Sequence, residues 1–194
     1  MSDDVTARIE RVDTHIATVQ AAREREFARW KRHYGGPSGE MTKWVPHLAE
    51  IGRAVDAAVP RALAPDVFDD LTSIADAFLA ADEPSRDALT ERCLASKSLV
   101  VGHDAYLAEA RGRIEATRDA DWLRRALAMS ALVCGGNDAR DEQLALEDLV
   151  RVARAAGVDP APEFRRVAAL ASATRSFGGA RESVRAFLEM LSRR

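Results

Sequence analysis

The residues best suited to chemistry lie in Leu99-Val100-Val101-Gly102-His103-Asp104, where an apolar helical run ends in an adjacent imidazole and carboxylate. Both groups are ligands for divalent metals, and a metal so held lowers the pKa of a bound water until that water attacks a phosphoester. A working set needs more ligands: His47, in His47-Leu48-Ala49-Glu50-Ile51, offers an upstream imidazole, and Asp138 or Asp141 a distant carboxylate. A different chemistry stands in the segment from Arg23 to Tyr34. Arg25, Arg29 and Arg32 fall at i, i+4 and i+7, which predicts one basic stripe on a helix beside an aromatic stripe of Phe27, Trp30 and Tyr34. Guanidinium groups so aligned grip phosphates or an acidic protein surface, and they also complement the negative end of the helix dipole. These three arginines are the candidate binding residues.

The apolar run closed by His103-Asp104 resembles the central motif of HD-type metal phosphohydrolases. That resemblance implies an all-α fold and phosphoester hydrolysis with His47, His103, Asp104 and one of Asp138 or Asp141 around the metal. The sequence departs from the pattern in two places: 56 residues separate His47 from His103, and Ala105-Tyr106-Leu107 stands where the family has a Gly-Lys pair. Asp138 and Asp141 also suit a helix N-terminus, and Asp104 an N-cap. The acidic clusters Asp66 with Asp69-Asp70 and Asn137-Asp138 with Asp141-Glu142 resemble the metal-binding helices of isoprenoid and terpene synthases. Leu71-Thr72-Ser73 supplies no third carboxylate, however, and 6% aromatic residues line no carbocation pocket. No Gly-x-Ser-x-Gly elbow occurs, and Gly35-Gly36-Pro37-Ser38-Gly39 lacks the Lys-Ser or Lys-Thr ending of a phosphate-binding loop. The sequence therefore assigns no catalytic residue, no metal site and no cofactor, and leans away from an enzyme.

Whatever positions these side chains is helical. Val5, Ile9, Val12, Ile16 and Val19 follow in alternating steps of four and three, the seam of a helix against a neighbour. The stripe then rotates to Phe27, Trp30 and Tyr34, and the glycine-rich run ends the helix. A second helix carries Trp44, Leu48, Ile51, Val55 and Val59 and stops at Pro60. Pro65 opens a third with Phe68, Leu71, Ile74 and Phe78, and Asp82-Glu83-Pro84-Ser85 starts another, with a break expected near Gly102-His103. Four short helices follow, bounded by Asp121, Gly135-Gly136, Gly157 and Asp159-Pro160. β-Branched residues never alternate with polar ones over a sustained run.

The chain also contains an internal correspondence. Leu123-Arg124-Arg125-Ala126-Leu127-Ala128-Met129 matches Phe164-Arg165-Arg166-Val167-Ala168-Ala169-Leu170 at an offset of 41 residues, and Ala139-Arg140-Asp141 matches Ala180-Arg181-Glu182 at the same offset. Two helical hairpins with this period resemble HEAT-like repeats, which implies a scaffold that stacks hairpins and binds other proteins.

With 194 residues, 47% of them hydrophobic and 30% charged, the chain buries a sizeable core, and its net charge of −3 argues against a coat for nucleic acid. The acidic start Met1-Ser2-Asp3-Asp4-Val5 lacks the features of a signal peptide, no run approaches the ~20 apolar residues of a membrane span, and Cys93 and Cys134 sit in apolar helical patterns as reduced thiols do. The expected location is the cytoplasm. The sequence predicts an all-α multi-helix bundle with a C-terminal pair of HEAT-like helical hairpins, divided into residues 1–118, a bundle led by the long helix, and residues 119–194, the hairpins. Its expected role is a non-catalytic protein-interaction or adaptor function with another protein as partner. A homodimer through the N-terminal helix is the further partner expectation; an HD-type phosphohydrolase and a nucleic-acid binder are the alternatives.

Overall fold

The computed structural model describes residues 3–133, 139–174, 188–191 and 193. Among them all regular structure is helical: α1 (Asp3–Gly35), α2 (Met41–Trp44), a 3₁₀ turn (Val45–His47), α3 (Leu48–Ala58), α4 (Pro65–Ala80), α5 (Glu83–Ala95), α6 (Lys97–Thr117), α7 (Ala120–Val133), α8 (Ala139–Ala155) and α9 (Ala161–Ser172). The chain is an all-α bundle, and it divides into two compact units, residues 1–13 with 63–194 and residues 14–62.

Local chemistry sets most helix ends. Pro65 occupies the first turn of α4, where its missing N–H costs nothing. Asp82 caps α5 by accepting from the Ser85 amide at 3.0 Å. At the end of α8, Gly157 adopts φ 81° while its amide and that of Val158 reach back to the carbonyls of Arg154 and Ala153, a Schellman closure that a side chain at 157 would strain. The break expected at Gly102-His103 lies elsewhere. Helix α6 runs through both residues, and the chain breaks instead at Ser96, whose hydroxyl accepts from the Leu99 amide at 3.1 Å. A serine N-cap with a β-region backbone ends the preceding helix more decisively than one glycine, which costs only ~1 kcal/mol inside a helix.

In the larger unit α7 is the hub, packing against α4, α5, α6, α8 and α9. Every residue from Ala126 to Val133 is buried, as befits a helix apolar on all sides, and Ala126, Ala128, Ser130 and Ala131 let neighbouring helices approach closely. Around it Phe78, Leu71, Ile74, Tyr106, Leu107, Ile114 and Phe164 complete the core. The first turns of α1 join this unit through ionic contacts as well as through Ile9 and Val12: Arg11 grips Asp70 with two bonds of 2.8 Å, and Arg8 adds a third of 2.8 Å. These bonds, Arg11 first, hold the buried Asp70 carboxyl below its ordinary range. The 41-residue correspondence places its first halves on α7 and α9, which pack together. Residues 175–187, where its last helix was expected, lie outside the described residues, as do Cys134 and Asp138.

Candidate functional site

The unit of residues 14–62 is a hairpin made by the second part of α1 and by α2 to α3. Its turn works because Gly36 and Gly39 take positive φ (68° and 62°), and because Gly35 has no side chain: a Cβ there would stand 2.8 Å from the Glu40 backbone nitrogen. The tight turn brings Trp44 back onto α1, edge-on to Phe27 at 6.0 Å, with its indole N–H bonded to the Gly39 carbonyl at 3.1 Å and the Lys31 ammonium 4.4 Å above its ring. The 3₁₀ turn then lays His47 flat on Tyr34, centroids 4.0 Å apart and planes within 6°. The Tyr34 hydroxyl donates to Glu50, which lowers the carboxyl pKa and raises that of the phenol, while His47 Nδ1 lies 3.5 Å from the same carboxylate. Farther down, Arg23 ties to Asp56 and to the Val59 carbonyl, and Ile51 and Val55 are buried.

The aromatic stripe of α1 is thus used internally, while the basic stripe stays in solvent. Arg25, Arg29 and Arg32 are all exposed. Arg29 pairs with Glu26 at 3.1 Å and lies 5.9 Å over the Trp30 ring; among the described residues no carboxylate comes within ion-pair distance of Arg25 or Arg32. Sequence reasoning missed a second feature of the same unit. The apolar seam of α3, covered at Ile51 and Val55, continues uncovered toward the turn, where Leu48, Val45 and Met41 are 44%, 41% and 65% exposed. Met41 opens α2, Val45 opens the 3₁₀ turn and Leu48 opens α3, three short elements that follow one another directly along the chain. A signal was available for Met41, which continues the spacing of Trp44, Leu48, Ile51 and Val55 one step before the residues expected on that helix.

No family model, curated protein or solved structure matches this chain.

The residues of the phosphohydrolase resemblance go to separate places. His103 is 3% exposed, with Nε2 3.0 Å from the Ser130 hydroxyl, and burial pushes its pKa down to about 4, with repulsion from Arg111 a smaller cause. The next residue, Asp104, is exposed. His47 belongs to the other compact unit, Asp138 lies outside the described residues, and the side chain of Asp141 is not described. Among the described residues no group of three His, Cys, Asp or Glu side chains is placed to hold a metal. Of the acidic cluster at the start of α4, Asp66 and Asp69 face solvent, and Asp70 is neutralised by Arg8 and Arg11. No helix among the described residues is long and apolar enough to cross a membrane.

Proposed function

We propose that this is a non-catalytic helical interaction protein, an adaptor that holds another protein against residues 14–62. The observation that carries the reading is the uncovered seam of Met41, Val45 and Leu48 on the hairpin that also presents Arg25, Arg29 and Arg32. Large apolar side chains left exposed to water close together along the chain mark a contact surface. The N-terminal seam offers less to a second copy, because Ile9, Val12 and Ile16 are already buried within one chain.

The HEAT-like reading of the C-terminal region belongs to the same proposal. It is supported by the packing of α7 on α9, as the first helices of stacked hairpins pack. Affinity capture from the native host, followed by mass spectrometry, tests the whole. The wild-type chain should retain a protein that a Met41→Asp/Leu48→Asp variant releases. Identical capture by both, or retention of a metal or small molecule in place of a protein, would overturn the reading. The nucleic-acid alternative requires binding at low salt that Arg25→Glu and Arg29→Glu abolish together.

A further inference from the structure

Resting on the interaction reading, which puts a protein partner at residues 14–62, we infer that the outward face of α1 docks an acidic segment of that partner, with Arg25, Arg29 and Arg32 as anchors. The α1 residues that meet α2 and α3 are Arg23, on Asp56 and the Val59 carbonyl, Phe27 and Lys31, on Trp44, and Tyr34, on His47. At 3.6 residues per turn, Arg25, Arg29 and Arg32 fall on the far side of the helix from that contact, and all three are exposed. Continued back in steps of four and three, the same face reads Ala28, Ala21, Thr18 and Thr14, with no acid on it. Among the described residues Arg29 alone of the three has an ion partner, Glu26, which it shares with the Trp30 indole.

Neither the helix dipole nor a local acid accounts for these charges. The dipole favours cations only within the last turn, which holds Arg32 and His33, so Arg25 and Arg29 lie beyond its reach. The positions three and four away from Arg25 are Ala21, Ala22, Ala28 and Arg29, so no acid supports it along the helix and one cation opposes it. Residues 14–62 hold eight Lys and Arg against five Asp and Glu, whereas the remaining residues hold twenty against twenty-six. The stripe is about 10 Å long, the rise over seven residues, which is close to the distance over which physiological salt screens a charge. A short acidic segment therefore feels the arginines, while a nucleic acid longer than the stripe also meets the field of a chain that is net negative at −3. A membrane surface takes apolar side chains as well as cations, and beside the arginines this face offers only alanine and threonine.

The test is the anisotropy of a labelled peptide of about ten glutamates, long enough to cover the stripe whether helical or extended, titrated with the full chain. A glutamine peptide of the same length, a DNA duplex and phosphatidylserine vesicles are the comparison probes. Two variants are measured beside the wild type and checked for unchanged helicity: Arg25→Gln/Arg29→Gln/Arg32→Gln, and Arg53→Gln/Arg154→Gln/Arg166→Gln, which removes the same charge at exposed positions elsewhere. The wild type should bind the glutamate peptide and not the glutamine one, more weakly as salt is raised. The stripe variant should bind it about tenfold more weakly or worse, and the second variant within about twofold of the wild type. The inference is overturned if the glutamate peptide does not bind at low salt or if the second variant loses as much as the first. It is equally overturned if the duplex or the vesicles bind the wild type more tightly than the peptide does. Lysate capture separates this inference from the reading it rests on. A protein released by Met41→Asp/Leu48→Asp but kept by the stripe variant would end this inference and leave the adaptor reading standing; capture that neither variant changes would end both.

Discussion

His103 makes the stability of this protein depend on pH in a way that can be worked out from its surroundings. The Ser130 hydroxyl donates to the Ala126 carbonyl at 3.1 Å, so His103 Nε2, 3.0 Å away, is the donor of the pair and the ring is the neutral Nε2–H tautomer. Burial lowers the pKa from 6.5 in the unfolded chain to about 4. Between these values the unfolded chain binds a proton that the folded chain does not, so stability present above pH 6.5 is lost as the pH falls toward 4. At 1.36 kcal/mol per pH unit, the loss reaches about 3 kcal/mol. The carboxylates held below their ordinary range, Asp70 and Glu50 among them, lose their contribution from about pH 5 downward in wild type and variant alike, so the difference between the two chains reports His103. His103→Leu removes the titration and leaves Ser130 bonded to Ala126. At about pH 7.5 the variant should be less stable by about 1 kcal/mol, the net value of one hydrogen bond. By about pH 4.5 it should be the more stable of the two. Urea unfolding followed by far-ultraviolet ellipticity across this range gives both curves. Parallel curves for wild type and variant would refute the assignment of the acid lability to His103.

Other expectations follow from the packing. Thr90 is fully buried with no partner for its hydroxyl among the described residues, so Thr90→Val should stabilise by about 1 kcal/mol in the same urea assay. Asp70→Ala leaves Arg8 and Arg11 facing each other over a buried gap and should cost about 2 kcal/mol, less than a fully buried pair because Arg11 is half exposed. Two glycines should respond oppositely to alanine. Gly35→Ala drives a Cβ into the Glu40 backbone and should destabilise by about 1–3 kcal/mol. Gly52→Ala, within α3 and with open space around it, should stabilise by about 0.5–1 kcal/mol, read as thermal melting shifts of opposite sign.

The helices themselves were legible because their signals are local: the steps of four and three through Ile9, Val12 and Ile16, the glycine-rich stop after Tyr34, Pro65 and Asp82 at helix starts, and Gly157 at a helix end each act within a few residues. The exposure of Arg25, Arg29 and Arg32 could be read for the same reason, since helical spacing fixes which side chains share a face. Two things depended on what lies across from a helix, which spacing does not encode. His103 and Asp104 are neighbours in sequence and one was as fit for a metal as the other, but α7 covers the first and leaves the second in solvent. The seam through Leu48, Ile51 and Val55 reads as uniformly buried, yet only its lower part is covered, while Leu48, with Val45 and Met41 beyond it, stands exposed. Periodicity says which way an apolar side chain points. Only tertiary packing decides how far along the helix something is there to meet it.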